Sequence, residues 1–95
     1  MRKYEALFIL HPSLDEEALN ANIEKFKGVI ENGGGQIDNV DVWGKRKLAY
    51  EIAKVNEGTY VLINFSADAD LPKELDRNFR IADSVIRHLI TNQEN

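Results

Sequence analysis

An α+β fold with six elements in the order strand, helix, strand, strand, helix, strand is what this sequence predicts, and three observations predict it. Apolar residues alternate near the start of the chain and again over 59–65, and they recur every three or four positions in two intervening stretches. Glycine, proline and asparagine punctuate the boundaries. With right-handed crossovers this order gives four antiparallel strands with both helices on one face, the ferredoxin-like or split βαβ arrangement. The other face of the sheet is left open.

Residues 2–10 read as the first strand, with Tyr4, Ala6, Phe8 and Leu10 on one face and Lys3, Glu5, Leu7 and Ile9 on the other. Ser13-Leu14-Asp15-Glu16 has the spacing of a capping box, in which the serine oxygen accepts a first-turn amide proton and the glutamate reaches back. A helix is therefore predicted over 14–32, with Leu19, Ile23, Phe26 and Ile30 as its apolar stripe and Gly33-Gly34-Gly35 as its stop. Residues 36–52 are rich in β-branched and aromatic side chains and predict one long, bent strand. Val40 and Val42 share a parity there, and Gly44 sits where a bulge is tolerated. Val55-Asn56-Glu57-Gly58 is a turn signal, so 59–65 should pair back as a hairpin. Asp70 is the expected cap of a second helix, with Pro72 in its first turn and Leu71, Leu75, Phe79 and Ala82 facing inward. Residues 85–91 form the last strand, and 93–95 are expected to fray.

At 95 residues and 43% hydrophobic the chain has material for one core, so 1–95 is expected to be a single domain. It contains no cysteine, which excludes disulfides and thiolate metal sites and fits a reducing cytoplasm. The apolar run at 6–10 is far too short for a bilayer, and no membrane association is expected. The net charge of −4 argues against a free-standing nucleic-acid binder, because phosphate neutralisation dominates such affinity. Any RNA contact has to come from a local basic patch, helped by a partner of opposite charge.

If Tyr4 and Phe8 face the helices, Leu7 and Ile9 face away, and on the hairpin strand Val61 and Ile63 are assigned to the open face, opposite in parity to Tyr60 and Leu62. An uncovered aliphatic patch of this kind marks an interaction surface. A parity shift at a bulge would instead make these residues core. RNA-recognition domains of this architecture stack bases on aromatics one and three positions after a glycine, and here those positions are Thr59 and Val61. The open face is thus expected to suit a protein partner, with Trp43 beside the strand bend near the contact.

Lys45-Arg46-Lys47 is the densest basic cluster, and alternate members point to opposite sides of a strand. Such a run also serves simply to discourage edge-to-edge aggregation. Arg77, Arg80 and Arg87 have surface pairing with carboxylates as their ordinary role. His11 and His88 show no metal-ligand spacing, and the triple glycine lacks the lysine and hydroxyl of a phosphate loop. A phosphate hydrolase of this architecture would need an arginine at the loop His11-Pro12-Ser13, which has none. A ligand-binding regulatory domain formed from paired sheets is the other rival. No catalysis, cofactor, metal or small-molecule substrate is expected.

The run Trp43-Gly44-Lys45-Arg46-Lys47-Leu48-Ala49-Tyr50-Glu51-Ile52, then Lys54 and Glu57-Gly58-Thr59-Tyr60, resembles the signature of the bacterial ribosomal protein S six family. Arg2-Lys3-Tyr4-Glu5 and Arg80-Ile81-Ala82-Asp83 to Val85-Ile86-Arg87 resemble the same family in order and spacing. The resemblance covers essentially the whole chain. It implies a ferredoxin-like, ribosome-bound protein of the small subunit that joins the basic protein S eighteen, binds the central domain of the small-subunit ribosomal RNA and aids platform assembly. Carried over position by position, it implies RNA contacts at Arg2, Lys45, Arg46, Lys47, Arg80 and Arg87. The partner contacts are expected at Leu7, Ile9, Trp43, Val61 and Ile63. Some members end in an acidic tail extended with glutamate; this sequence stops at Glu94-Asn95 without such a run.

Overall fold

A computed structural model describes residues 1–93, and the expected fraying of 94–95 lies outside the described residues. The elements are β1 (Arg2–Leu10), α1 (Glu16–Asn32), β2 (Gln36–Ile52), β3 (Val55–Ala67), α2 (Leu71–Ile81) and β4 (Val85–Asn92). They build one sheet in the order β2-β3-β1-β4, with every neighbouring pair antiparallel. The two helices cover one face, so the predicted βαββαβ architecture is the observed one. Gln93, expected to fray, instead donates its N–H to Lys3 O at 2.9 Å and continues the β1–β4 ladder.

The core forms where the alternating face of the central strands meets the two helix stripes. Tyr4, Ala6, Phe8 and Leu10 of β1 are buried with Val61, Ile63 and Phe65 of β3, under Ile23, Phe26 and Ile30 of α1 and Leu71, Leu75 and Phe79 of α2. At its centre three rings meet: Phe8 lies 5.3 Å from Phe26 and 4.8 Å from Phe79, and Phe26 lies 4.6 Å from Phe79. Such pairs add directional attraction to the burial of large apolar surfaces. Ser84 donates to Asn22 Oδ1 at 2.6 Å, which ties α1 to the turn that launches β4.

The helix starts depart from the sequence-based expectation. Asp15, not Ser13, caps α1, accepting from Ala18 N at 2.8 Å. The Ser13 hydroxyl is taken up by His11 Nδ1 at 2.7 Å, so it is not available to the helix. Asp70 stands at the cap position of α2 with helical backbone angles and makes no side-chain cap bond; the Leu71 N–H is satisfied by Asp68 O instead.

The hairpin also turns earlier than expected. Ile52 pairs with Val55, so the two-residue loop is Ala53-Lys54, both at positive φ (51° and 65°). Left-handed angles at both loop positions match the twist of the flanking strands, and here tertiary pairing imposes them on two residues that do not favour them. The expected turn residue Gly58 is inside β3 and buried. A Cβ there would stand 2.4 Å from Ile9 Cγ2, so this glycine serves close packing against β1 rather than a bend.

Candidate functional site

The face of the sheet away from the helices is fixed by register. In an antiparallel pair, residues directly opposite each other point to the same side. Phe8 faces Val61 and Ala6 faces Ile63, so Val61 and Ile63 belong to the core and are fully buried. This corrects the expected assignment of both to the open face. Their neighbours Tyr60 and Leu62, paired with Ile9 and Leu7, point outward instead, joined from β4 by Arg87 and Leu89. Leu7, Ile9 and Trp43 do lie on this face.

β2 completes it through a bulge. Val42 pairs with Val61 and Gly44 with Tyr60, so two steps on β2 match one on β3, and Gly44 takes a φ of 88°. The Trp43 ring stacks on Tyr60 at 5.9 Å and 7°, and its Nε1 donates to Asp41 Oδ2 at 3.0 Å. The Arg46 guanidinium stands 5.2 Å from the Trp43 ring, a cation–π contact of about 0.5–1 kcal/mol at such an exposed position. Aromatic rings therefore do occupy this face, although not at the positions after Gly58: Thr59 and Val61 point to the helix side.

Near the hairpin tip the β2–β3 register breaks again, between Lys47 and Ile52. Leu48, Ala49, Tyr50 and Ile52 face Ile9, Tyr60 and Leu89 across a cleft of about 280 Å³. This explains why Ile9 is only 6% exposed despite facing away from the helices. Tyr50 accepts a hydrogen bond from Arg87 Nη1, and the same guanidinium sits 5.7 Å from its ring. The outcome is an amphipathic surface. Leu89 is 59% and Trp43 38% exposed, and each lies beside a cation.

The six basic positions do not form one patch. Arg46 and Arg87 reach the open face. Lys45 and Lys47, opposite Thr59 and Glu57, point to the other side of the hairpin. Arg2 is at the far end of β1, paired with Ala67. Arg80 lies on α2, 2.7 Å from Asp76 Oδ2. The open-face contributors that the sequence-based assignment missed are Tyr60, Leu62 and Leu89, and the signal that finds them is their pairing with β1.

Asp76 also engages His88 Nε2 at 2.7 Å. The His88 hydrogen bond, followed by Arg80, holds its carboxyl below the ordinary value near 3.8, against partial desolvation that works the other way. The resulting stabilisation is complete above the unfolded-state pKa and fades as pH falls through the lower folded one. Asp76→Asn should therefore leave stability at pH 7 changed by under about 1 kcal/mol, since the group is over a third exposed, and should flatten the loss below about pH 4. Denaturant melts of both proteins from pH 2 to 6 check this.

No helix among the described residues is long and apolar enough to cross a membrane. A family model described as ribosomal protein S6 matches residues 3–92. Small ribosomal subunit protein bS6 of Clostridium acetobutylicum is 73% identical over 94 residues, covering 99% of both chains. The bS6 protein of Clostridium botulinum is 71% identical over 94 residues, with 99% of this chain and 100% of that one covered. The crystal structure of the 30S ribosomal protein S6 of Thermotoga maritima superposes with a TM-score of 0.93 at 39% identity, covering 97% of this chain and 87% of that one.

Proposed function

This chain belongs to the bacterial ribosomal protein S6 family and is a non-enzymatic, ribosome-bound protein of the small subunit, and on that premise we propose what it holds there. It binds the central domain of the small-subunit ribosomal RNA jointly with protein S eighteen and aids assembly of the platform, acting in the cytoplasm as one domain over 1–95. One observation carries this: a sheet face without a helix over it, on which the exposed Leu89 and the half-buried Leu7 and Leu62 sit beside Trp43 and two arginines, Arg46 and Arg87.

The division of labour follows from charge. With a net −4 the chain cannot supply the field that holds a phosphate backbone, whereas a basic partner seated on the apolar part can. Arg46 and Arg87, now held over Trp43 and Tyr50, stand at the rim of that seat and contribute positioning contacts to phosphate rather than a base code. Chemical footprinting of the ribosomal RNA with this protein, with S eighteen and with both is the test. Strong protection is expected with both together. The double substitution Arg46→Ala, Arg87→Ala should weaken it about tenfold and reduce the slope of affinity against salt by up to about 2. Protection by this chain alone at equal strength would overturn joint binding.

A further inference from the structure

β4 is an edge strand, paired with β1 on one side and with no strand among the described residues on the other. The phase of the ladder decides which main-chain groups face outward. Gln93 donates to Lys3 O, and the same register runs on through Glu5 opposite Thr91, Leu7 opposite Leu89 and Ile9 opposite Arg87. Hydrogen-bonded and non-bonded pairs alternate in an antiparallel ladder, so His88 and Ile90 turn their N–H and C=O groups away from β1. Their side chains lie on the helix side, opposite Phe8 and Ala6. There α2 runs beside the edge, and Tyr4, Pro72, Asp76, Arg80, His88 and Ile90 line a groove of about 600 Å³.

An unsaturated strand edge flanked by a helix is what strand addition requires: main-chain bonds supply affinity, and alternate side chains enter the groove. We propose that the α2–β4 groove docks an extended peptide segment of a partner protein, paired to the main chain of His88 and Ile90. One apolar side chain enters over Pro72 and Ile90, and a carboxylate meets Lys73. Charge selects this occupant. Asp76 is engaged by both Arg80 and His88, while no carboxylate among the described residues pairs with Lys73 on the same rim. A second copy of this chain would set Lys73 and Arg80 against the same cations, which opposes pairing of β4 with β4. The groove is on the helix side and needs nothing from the open face, so its failure leaves the ribosomal assignment standing.

The test titrates the full chain with a synthetic peptide of alternating valine and serine carrying one terminal aspartate, and follows amide hydrogen exchange by NMR. The amides of His88 and Ile90 should exchange openly in the free protein and gain at least about tenfold protection with peptide, while those of Leu89 and Thr91 stay protected throughout. Lys73→Glu should lower peptide affinity about fivefold, and a peptide with lysine in place of the aspartate should recover it. Three results overturn the proposal: protection confined to open-face residues, a homodimer through β4 in place of peptide binding, or unchanged exchange at His88 and Ile90 at millimolar peptide.

Discussion

Replacing Phe8 by alanine should cost about 3–5 kcal/mol and lower the melting temperature by on the order of 20 °C. Phe8 is fully buried, contacts the rings of both Phe26 and Phe79, and sits on the central strand opposite Val61, so no single neighbour can move to fill the space. One substitution would then remove a large share of the roughly 5–15 kcal/mol that holds a domain of this size. Urea melts with an unchanged slope and a lower midpoint are the expected observation. A loss under about 1 kcal/mol would mean that the three-ring cluster is not the centre of the core.

Leu89→Glu should do the reverse, leaving the free protein nearly unaltered and disabling it as a partner. Leu89 is 59% exposed on the open face, so a carboxylate there changes folding stability by no more than about 0.5 kcal/mol. Against protein S eighteen, the proposed partner, the same carboxylate has to be stripped of water while the neighbouring Arg87 is already engaged by Tyr50, which costs several kcal/mol and should weaken the heterodimer at least about thirtyfold. Calorimetric titration of the two proteins, with a thermal melt as the control, separates binding from folding. Undiminished affinity would move the partner off this face.

These two residues also mark what the sequence discloses and what it withholds. The burial of Phe8 is legible because Lys3 and Glu5 mark one parity of β1 as polar, leaving Tyr4, Ala6, Phe8 and Leu10 for the core, and the α1 stripe at Ile23, Phe26 and Ile30 follows helical spacing. β3 offers that contrast only towards its far end. Tyr60, Val61, Leu62 and Ile63 are apolar on both parities; only Asn64 and Ser66 mark the parity of Tyr60 and Leu62 as the outward one, in agreement with the pairing of Val61 and Ile63 with Phe8 and Ala6. That is why a reading from sequence puts Val61 and Ile63 on the wrong face while still predicting an open one. The hairpin loop was hidden for a related reason: Asn56 and Gly58 carry the local turn chemistry, yet Ala53 and Lys54 make the turn because cross-strand pairing outweighs their preference for negative φ. Sequence also named the basic positions without their distribution, because Arg2, Arg80 and Arg87 gain their places from elements far apart in the chain.

The extra residue at Trp43-Gly44 resets the reading frame of β2 for Lys45, Arg46 and Lys47. Because side chains alternate, a one-residue slip of β2 against β3 beyond that point would exchange the sides taken by Arg46 and its lysine neighbours. A lineage carrying this protein can therefore vary the chemistry along the hairpin one side chain at a time. A one-residue slip would reverse that whole stretch at once, and natural selection should remove sequences that permit it.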